Sequence, residues 1–297
     1  GQPAMEALPG LYALDQLSEK YGYKIETIEA PDAAILMEGV STDEFQIGGG
    51  ASAAAIRAIL EGGEMKLIGS EANMQWVMSA KPGLETCADL DGKRVGLHSA
   101  GSAGEGYFNY WAANNCTGDE RKAYKIIYVS GSEARAQALL AGQLDAAMVT
   151  YSEVPLVEDK FPTMIDFQDV LQGQSLANPI FVSNKFLSKH GDVVEQFMEE
   201  VVRIQRKMAE DPSEIERLLK IYLPEMSDEE RAQSATTANE VGFFPTDGGL
   251  SSMESMDRIV KFQIEQTKEL PAEAADHVDE FATTEPARAA IERIGKN

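Results

Sequence analysis

The amino-acid sequence predicts an α/β protein with two α/β blocks followed by a helical C-terminal region. Short apolar runs alternate with helical segments from residue 7 to residue 183. This alternation is typical of strands joined by crossover helices, and it predicts parallel sheets. Beyond residue 184 the apolar spacing is almost wholly helical, with interruptions at prolines. The 297 residues allow two domains of ordinary size.

The first block is predicted to begin with a helix over Ala7–Gly22, where apolar residues recur at helical spacing before a glycine. Alternation over Tyr23–Ala30 predicts a strand. Phe45–Gly50 predicts a short strand that runs into three glycines, followed by a helix over residues 51–63 that glycines close. Further strands are predicted over residues 64–72 and 75–80.

The second block repeats the strand and helix pattern. A strand over Arg94–His98 is followed by a Gly/Ser turn and a helix from Ala103 to Asn115. The later elements are a strand over residues 123–130, a helix over 132–143, a strand over 144–151, and a strand from residue 178 that leads into one long amphipathic helix ending near residue 212.

Composition excludes several classes of function. The net charge of −23, from 49 acidic and 26 basic residues, argues against a nucleic-acid partner, because phosphate backbones are bound by Lys and Arg patches. No run of ~18 apolar residues occurs, so no membrane span is predicted. The chain opens on Gly-Gln-Pro without a basic-then-apolar leader, which indicates a cytoplasmic protein or a mature secreted one.

The cysteines and histidines do not form a metal-binding pattern. Three scattered histidines and two separated cysteines lack metal-site spacing, so no metal or other cofactor is predicted. Cys87 precedes the strand at Arg94–His98, and the helix over Ala103–Asn115 returns the chain to that end, where Cys116 follows. The two Cα atoms can therefore approach within the ~4.4–6.8 Å that a disulfide requires. We expect a disulfide and an oxidising compartment.

The Gly/Ser turn after Arg94–His98 has the general form of a phosphate cradle. Its glycines fall as G-x-x-G-x-G, the reverse of the dinucleotide fingerprint, and G-x-x-x-x-G-K-[ST] is absent, so a nucleotide is not predicted. A helix start leaves N–H groups unpaired, and Ser99 and Ser102 add hydroxyls. The turn is either a ligand contact or a plain helix cap.

A second turn, "IGGGASAAA", has the same arrangement in the first block, with Gly50, Ala51 and Ser52 at a helix start. Two such turns favour a ligand cleft, because open α/β sheets bind ligands beyond the carboxyl ends of their strands. Tyr151 and Glu153 follow a strand and are either ligand contacts or part of a surface loop.

Catalytic motifs are not found. The sequence contains no G-x-S-x-G nucleophile elbow and no H-E-x-x-H helix. Trp76 is either a cleft aromatic or a core residue.

Several segments together resemble one family. They are "LPGLYALDQLSEKYGYKIETIEA", "DEFQIGGGASAAAIRAILEGGEMKLIG", "CADLDGKRVGLHSAGSAGEGYF" and "ARAQALLAGQLDAAMVTYSEVP", and with the helix that follows they span Leu8 to Pro212 in family order. This arrangement resembles the solute-binding proteins of ABC importers for sulfonates, nitrate, taurine and thiamine-precursor pyrimidines. The shared elements are L-x-G-K-x-V-G followed by a Gly/Ser turn, and A-L-x-x-G-x-x-D-A followed by proline.

The resemblance implies a two-lobe periplasmic-binding-protein fold of type II, which closes on its ligand like a flytrap. Lobe 1 would comprise residues 1–77 and 181–297, and lobe 2 residues 78–180. The protein would be a monomer, and it would not be an enzyme. It would lie in the periplasm, or outside the cell on a membrane anchor, and would deliver a small polar, zwitterionic or heteroaromatic solute to a membrane permease.

The expected ligand contacts are the backbone N–H groups at Gly50, Ala51, Ser52, Ser102 and Ala103, and the side chains of Asn73, Trp76, Ser99, Tyr151, Glu153 and Asn178. One rival is an enzyme on the same fold, similar to pyrimidine-precursor synthases, which use a cysteine-rich segment for iron. Another is the ligand-sensing domain of a cytoplasmic regulator, which would need a DNA-binding module that this sequence does not contain.

Overall fold

The computed structural model describes residues 5–28, 30, 33–50, 52–74, 76–100, 102–116, 124–171 and 178–295, and the side chains of Ser52 and Ala103 lie outside that description. The chain divides into two compact units. Unit 1 comprises residues 1–73, 173–261 and 270–297, and unit 2 comprises residues 74–172 and 262–269.

The described residues form two sheets surrounded by helices. The strands are β1 (Ile47–Gly49), β2 (Met65–Ser70), β3 (Trp76–Ala80), β4 (Arg94–Leu97), β5 (Lys125–Tyr128), β6 (Ala146–Thr150), β7 (Thr163–Asp166) and β8 (Pro179–Ser183).

The helices include one of 20 residues and several of about one turn. They are α1 (Leu8–Tyr21), α2 (Ala33–Ser41), α3 (Ser52–Leu60), α4 (Ala103–Asn115), α5 (Ser132–Leu140), α6 (Val154–Val157), α7 (Phe167–Leu171), α8 (Asn184–Lys189), α9 (Gly191–Glu210), α10 (Pro212–Tyr222), α11 (Asp228–Glu240), α12 (Met253–Phe262), α13 (Val278–Phe281) and α14 (Glu285–Ile294).

Within the described chain, no helix is long and apolar enough to cross a bilayer.

The sheet of unit 1 has the order β1-β8-β2, and β8 runs antiparallel to both neighbours. Helix α9 packs against α1 and α14, and its buried face, with Phe197, Val201 and Val202, joins Ile68 and Ile180 of the sheet in one core. The fully parallel sheet expected from the sequence is therefore wrong for this unit, because the central strand enters from residues that follow unit 2.

Two local expectations in unit 1 are also wrong. The part of Tyr23–Ala30 that the structure describes has no strand. Tyr23 and Ile25 are only partly buried against the core and Ile28 is 58% exposed, so the segment has no fully buried face of the kind that the alternation predicts. The long helix after β8 is two helices, α8 and α9, because His190 between them has an extended φ of −134°.

The sheet of unit 2 has the order β5-β4-β6-β3-β7. Strand β4 is parallel to β5 and β6, as expected, whereas β3 is antiparallel to β6 and β7. The sheet is therefore mixed. The sequence pattern did not predict β7, a short edge strand.

The segment 262–269 belongs to unit 2, whereas the family resemblance implies a place in the first lobe. The reason is aromatic packing: the ring of Phe262 lies 6.2 Å from that of Tyr107 and 4.8 Å from that of Tyr110, both on α4. A side chain at Gly106 would collide with Thr267 of the same segment. Phe262 is therefore part of the core of unit 2.

Asp145 joins three segments of unit 2. Its carboxylate accepts hydrogen bonds from Lys81 Nζ at 2.6 Å, from Arg94 Nε at 2.9 Å and from the Arg94 backbone N–H at 2.9 Å. The Arg94 side chain and Lys81 hold the pKa of Asp145 below its usual range, against the effect of burial. The two short motifs shared with the family meet here, since Arg94 and Asp145 belong to one motif each.

Asp145→Asn is expected to lower the free energy of unfolding at pH 7 by about 2 kcal/mol, less than the ~3–5 of a fully buried pair because both cations are partly exposed. A lowered pKa means that the stabilisation is present above the unfolded pKa of about 4 and is lost as the pH falls further. Urea unfolding from pH 3 to pH 7 measures it. Asp91→Asn, at an exposed acid of the same unit, is the control, and equal losses in the two variants would contradict the assignment.

Cys87 and Cys116 are joined by a disulfide, with Cα atoms 5.2 Å apart. Cys87 lies just before a short 3-10 turn, and Cys116 caps the C-terminus of α4. Both are buried in the core of unit 2. The bond therefore fixes the end of α4 to the segment that leads into β4.

Replacing both cysteines by alanine is expected to destabilise the protein by about 3–4 kcal/mol, from the loop that the bond closes across 29 residues. Thermal unfolding with and without reductant measures the loss, and reductant should leave the double variant unchanged. Two free thiols in the native purified protein, found by mass spectrometry, would contradict the bond.

Candidate functional site

One edge of the unit 1 sheet collects three polar positions. Because β8 runs antiparallel between β1 and β2, its first residues lie beside the last residues of the other two. The N–H of Gly50 donates to the carbonyl of Pro179 at 2.9 Å, and the N–H of Glu71 donates to that of Asn178 at 2.8 Å. Gly50, Glu71 and Asn178 are thereby brought together.

Gly50 cannot readily carry a side chain at this edge. Its φ of +104° is in the region that favours glycine, and a Cβ would lie 3.4 Å from Oδ1 of Asn178. Its N–H, expected to face a ligand, is engaged by Pro179. Ala51 lies outside the described residues. Ser52 begins α3, and its side chain is outside the description.

Glu71 is the main residue that the sequence patterns missed. It is only 6% exposed, and its carboxylate accepts hydrogen bonds from the side-chain amide of Asn178 and the backbone N–H of Gly10. Gly10 lies in the first turn of α1, where N–H groups lack helical partners. A side chain at Gly10 would overlap the carboxylate. Glu71 therefore caps α1 from the edge of the sheet.

The carboxyl of Glu71 is electrostatically unusual. Burial raises its pKa to about 8, and the nearby carboxylate of Glu6 adds to the effect. The Gly10 N–H and the Asn178 amide oppose the shift without cancelling it. A large part of the Glu71 population is therefore protonated at pH 7.

Gln205 fixes the backbone that carries Glu71. From the buried face of α9, its amide nitrogen donates to the carbonyl of Ser70 at 2.9 Å and that of Glu71 at 3.2 Å. Its amide oxygen accepts from the N–H of Gly248 at 3.1 Å. No sequence signal marks this glutamine, because a single polar residue in an amphipathic helix is expected at the surface.

Asn73, a predicted ligand contact, has a structural partner. Its side-chain amide donates to the carbonyl of Gly242 at 2.8 Å, and its N–H donates to the carbonyl of Phe243 at 2.8 Å. Both bonds attach the end of the unit 1 segment to the loop after α11. The amide nitrogen therefore holds this loop in place.

The corresponding edge of unit 2 carries the other predicted residues. The first residue of β3, Trp76, pairs with Thr150 at the end of β6, and the next pairs with Asp166 at the end of β7. The carboxyl end of β4, followed by Ser99, lies at the same edge, because β4 is parallel to β6. Ser99 is exposed.

Ser102 is the N-cap of α4. Its hydroxyl accepts from the N–H of Glu105 at 3.4 Å, and its own N–H donates to the carbonyl of Ser99 at 3.2 Å. The plain helix cap is thus present, and neither group needs a ligand. Ala103 is the first residue of α4, and its side chain is outside the description.

Tyr151 is buried, and its hydroxyl is hydrogen-bonded to a neighbouring carboxylate. Its hydroxyl donates to the two carboxylate oxygens of Asp166 at 2.7 and 2.8 Å. Burial, together with the acceptor carboxylate, raises the pKa of Tyr151. The surface-loop alternative is excluded by its burial, and its phenol ties the end of β6 to the end of β7.

Glu153 also has local partners. One carboxylate oxygen accepts from Ser132 Oγ at 2.5 Å and from the N–H of Thr150 at 3.1 Å. The buried guanidinium of Arg135, which donates to the carbonyl of Met148, lies close enough to act on it electrostatically. Glu153 therefore stabilises the turn after β6, and a cation at this edge would compete with Arg135.

Trp76 was predicted to be either a cleft aromatic or a core residue, and its position has features of both. Its ring lies 5.6 Å from that of Tyr107 and packs beside Gly104, where a Cβ would be 3.7 Å away. It is nevertheless only partly buried. One part of the indole is in the core of unit 2, and the rest remains available at the strand edge.

In the described part of the chain, no group of three or more His, Cys, Asp or Glu side chains is arranged to hold a metal ion.

The family described as NMT1/THI5 like matches residues 19–215, more than half of the chain. The chain belongs to the NMT1/THI5-like family. The match contains both strand edges described above. Comparison with curated proteins found no match.

Solved structures share the fold of this NMT1/THI5-like chain at low sequence identity. The ligand-binding component of an ABC-type import system from Staphylococcus aureus, with zinc bound, has a TM-score of 0.72 and 15% identity, covering 97% of this chain and 96% of its own. The periplasmic aliphatic sulphonate-binding protein SsuA from Escherichia coli has a TM-score of 0.67 and 15% identity, covering 94% and 89%. The periplasmic nitrate-binding protein NrtA from Synechocystis PCC 6803 has 0.66 and 11%, covering 98% and 86%.

The α/β periplasmic-binding-protein fold with C-terminal helices, expected from the family resemblance, is confirmed. The resemblance itself is confirmed by the family match. Gly10 lies before the matched range, so the contact between Glu71 and α1 joins the family segment to residues outside it.

Glu71→Gln is expected to flatten the pH dependence of stability. Because the folded-state pKa is raised, the contribution of Glu71 is full below its unfolded pKa of about 4.5 and is lost as the pH rises through about 8. Between pH 5 and pH 8 the wild type should therefore lose at least about 1 kcal/mol more than the variant.

Chemical unfolding of both proteins across this range measures the difference. Glu225→Gln removes an exposed acid from the same unit and should follow the wild-type slope. Parallel slopes for the wild type and Glu71→Gln would contradict the raised pKa.

Proposed function

We propose that this NMT1/THI5-like protein is the solute-binding component of an ABC-type importer. It binds a small polar, zwitterionic or heteroaromatic molecule and delivers it to a membrane permease. Membership of the family and the fold shared with import-system and periplasmic binding proteins support this function.

The observation that supports the proposal is the position of polar and aromatic side chains within each unit. In both, the strand ends gather polar and aromatic side chains at one edge of the sheet: Glu71 and Asn178 in unit 1, Ser99 and Trp76 in unit 2. Ligands of open α/β sheets bind beyond such edges.

The set of proposed contacts is narrower than the sequence suggests. Three side chains are still proposed as direct ligand contacts: those of Asn178, Ser99 and Trp76. Tyr151, Glu153 and Asn73 act by holding the edges in shape, since each is already bonded within its own unit. The N–H groups of Ser52 and Ala103, at the first residues of α3 and α4, remain proposed donors.

A synthase-like enzyme on the same fold is the second candidate, because the family description covers THI5-like proteins. The pyrimidine-precursor synthases considered above use a cysteine-rich segment for iron. Here both cysteines of the sequence are joined to each other and are buried. Sulfurs joined in a disulfide offer no thiolate to a metal, which favours the binding protein.

We also propose the compartment and the partners of the protein. The disulfide favours an oxidising compartment, consistent with a position in the periplasm or on the outer face of a membrane. The strong negative charge opposes nucleic-acid binding. We propose that the protein acts as a monomer whose partners are the solute and the permease.

A thermal-shift screen over sulfonates, pyrimidines, amino acids and aromatic acids tests the function. A true ligand at 100 times its Kd should stabilise the protein by about 2.7 kcal/mol, without turnover. Trp76→Ala should weaken binding of an aromatic hit, and Tyr21→Ala, at a half-exposed ring elsewhere in the chain, should not. Conversion of a pyrimidine in the presence of iron would instead establish the enzyme.

A further inference from the structure

The indole of Trp76 is connected to the C-terminal region by two ring contacts. Trp76 is the first residue of β3, at the unit 2 edge to which the proposed function assigns the ligand. Its ring centroid lies 5.6 Å from that of Tyr107 on α4, at an interplanar angle of 50°. Tyr107 in turn stacks with Phe262 at 6.2 Å and 28°, and both of these rings are buried. Tyr107 is therefore the ring through which Phe262 acts on Trp76.

Phe262 is held against α4 by a second ring. It lies edge-on to Tyr110, with centroids 4.8 Å apart and an interplanar angle of 80°, a geometry that aromatic quadrupoles favour. Tyr107 and Tyr110 are three positions apart on α4, so they share one face of the helix. Phe262 thus packs against two rings of the same face, and this fixes the position of Tyr107.

Two glycines of α4 permit these approaches. A Cβ at Gly106 would lie 2.8 Å from Cβ of Thr267, and a Cβ at Gly104 would lie 3.7 Å from the ring of Trp76. Glycine inside a helix is less favourable than alanine. The helix nevertheless has glycine at one position that segment 262–269 approaches and at another that the indole approaches.

The backbone of this segment is unusual for the end of a helix. Gln263–Thr267 form a π-helical turn after α12, and Lys268 follows in the left-handed region at a φ of +58°. Both features are rare, and they concentrate at functional sites. The segment also lies beyond residues 19–215, so the family match assigns it no role.

We infer that Phe262 is a positioning residue of the binding site, which acts through Tyr107 to hold the indole of Trp76 in the orientation that meets the ligand. This inference rests on the proposed solute-binding function and adds a residue of the C-terminal region to its site. A ring that is fixed before binding loses less conformational freedom when the ligand arrives, so the ligand binds more tightly.

Fluorescence of Trp76 tests the positioning without a ligand. The sequence has two tryptophans, so Trp111→Phe leaves Trp76 as the one emitter. In this background Phe262→Leu removes the ring and keeps an apolar side chain, and it should raise acrylamide quenching of Trp76 and lower its emission anisotropy. Tyr124→Leu is the matched control. It removes an edge-on ring contact at 5.2 Å, with Phe108 of the same core, and should leave Trp76 unchanged.

Gly106→Ala is a second variant, and it keeps every aromatic ring. Its added Cβ would displace Thr267 and with it segment 262–269, so quenching of Trp76 should rise here too. If the Trp111→Phe background fails to fold, fluorotryptophan labelling and fluorine NMR follow the same ring in the otherwise native protein, with Trp76→Phe assigning its signal.

Calorimetry connects the positioning to binding. It uses a compound from the thermal-shift screen whose binding Trp76→Ala weakens. Phe262→Leu and Gly106→Ala should weaken its binding by about 3- to 10-fold, the size of one aromatic contact and less than the loss in Trp76→Ala. Tyr124→Leu should bind it as the wild type does.

Two results would overturn the inference and leave the solute-binding function intact. One is wild-type affinity in Phe262→Leu and Gly106→Ala, whatever the quenching of Trp76, since Phe262 would then fill the core without serving the site. The other is a set of ligands none of which depends on Trp76. If no compound binds the wild type, the proposed function fails and the inference fails with it.

Discussion

The structure depends on where the chain re-enters each unit. The first strand after each crossing, β3 in unit 2 and β8 in unit 1, is inserted between two other strands and runs antiparallel to both. Such a strand begins at the edge where its neighbours end. The carboxyl ends of β1 and β2 therefore lie beside the start of β8 in one sheet, and those of β6 and β7 lie beside the start of β3 in the other.

This placement separates the segments that carry the two short family motifs from the residues proposed to recognise the ligand. Arg94 and Asp145, one from each short motif, bind each other across the start of β4 and the segment before β6. They hold the sheet of unit 2 together at the end opposite to the proposed ligand edge. Motif residues thus indicate the fold, and the chemistry of the ligand has to be inferred from residues outside the motifs.

Local sequence patterns predict the features that neighbouring residues determine, such as the start of a helix. The start of α4 follows from the serine and glycines before it, and the predicted helix Ala103–Asn115 agrees with the structure. The direction of β3 and β8 could not be predicted, because alternation of apolar residues reports burial and not the identity of the neighbouring strand. Tyr23–Ala30 was misjudged for the same reason: it alternates, but no strand of the described chain pairs with it.

The candidate site was harder to predict than the fold. Asn178 and Trp76 were predicted as ligand contacts from the sequence, and both stay predictions. Glu71 and Gln205 were missed, because each depends on a partner distant in sequence: Gly10 for the carboxylate, and Ser70 and Gly248 for the amide. With 49 acids in the chain, burial rather than residue type distinguishes Glu71.

The late arrival of β8 has a consequence for the order of folding. Unit 2 is built mainly from one continuous stretch, residues 74–172, whereas β1 and β2 of unit 1 have no hydrogen-bonding strand between them until residues 179–183 are available. A chain that emerges N-terminus first can therefore complete most of unit 2 while the sheet of unit 1 still lacks its centre. During that interval the backbone groups of β2 that pair with β8 have no strand partner, and such an open strand edge is prone to pairing with another chain.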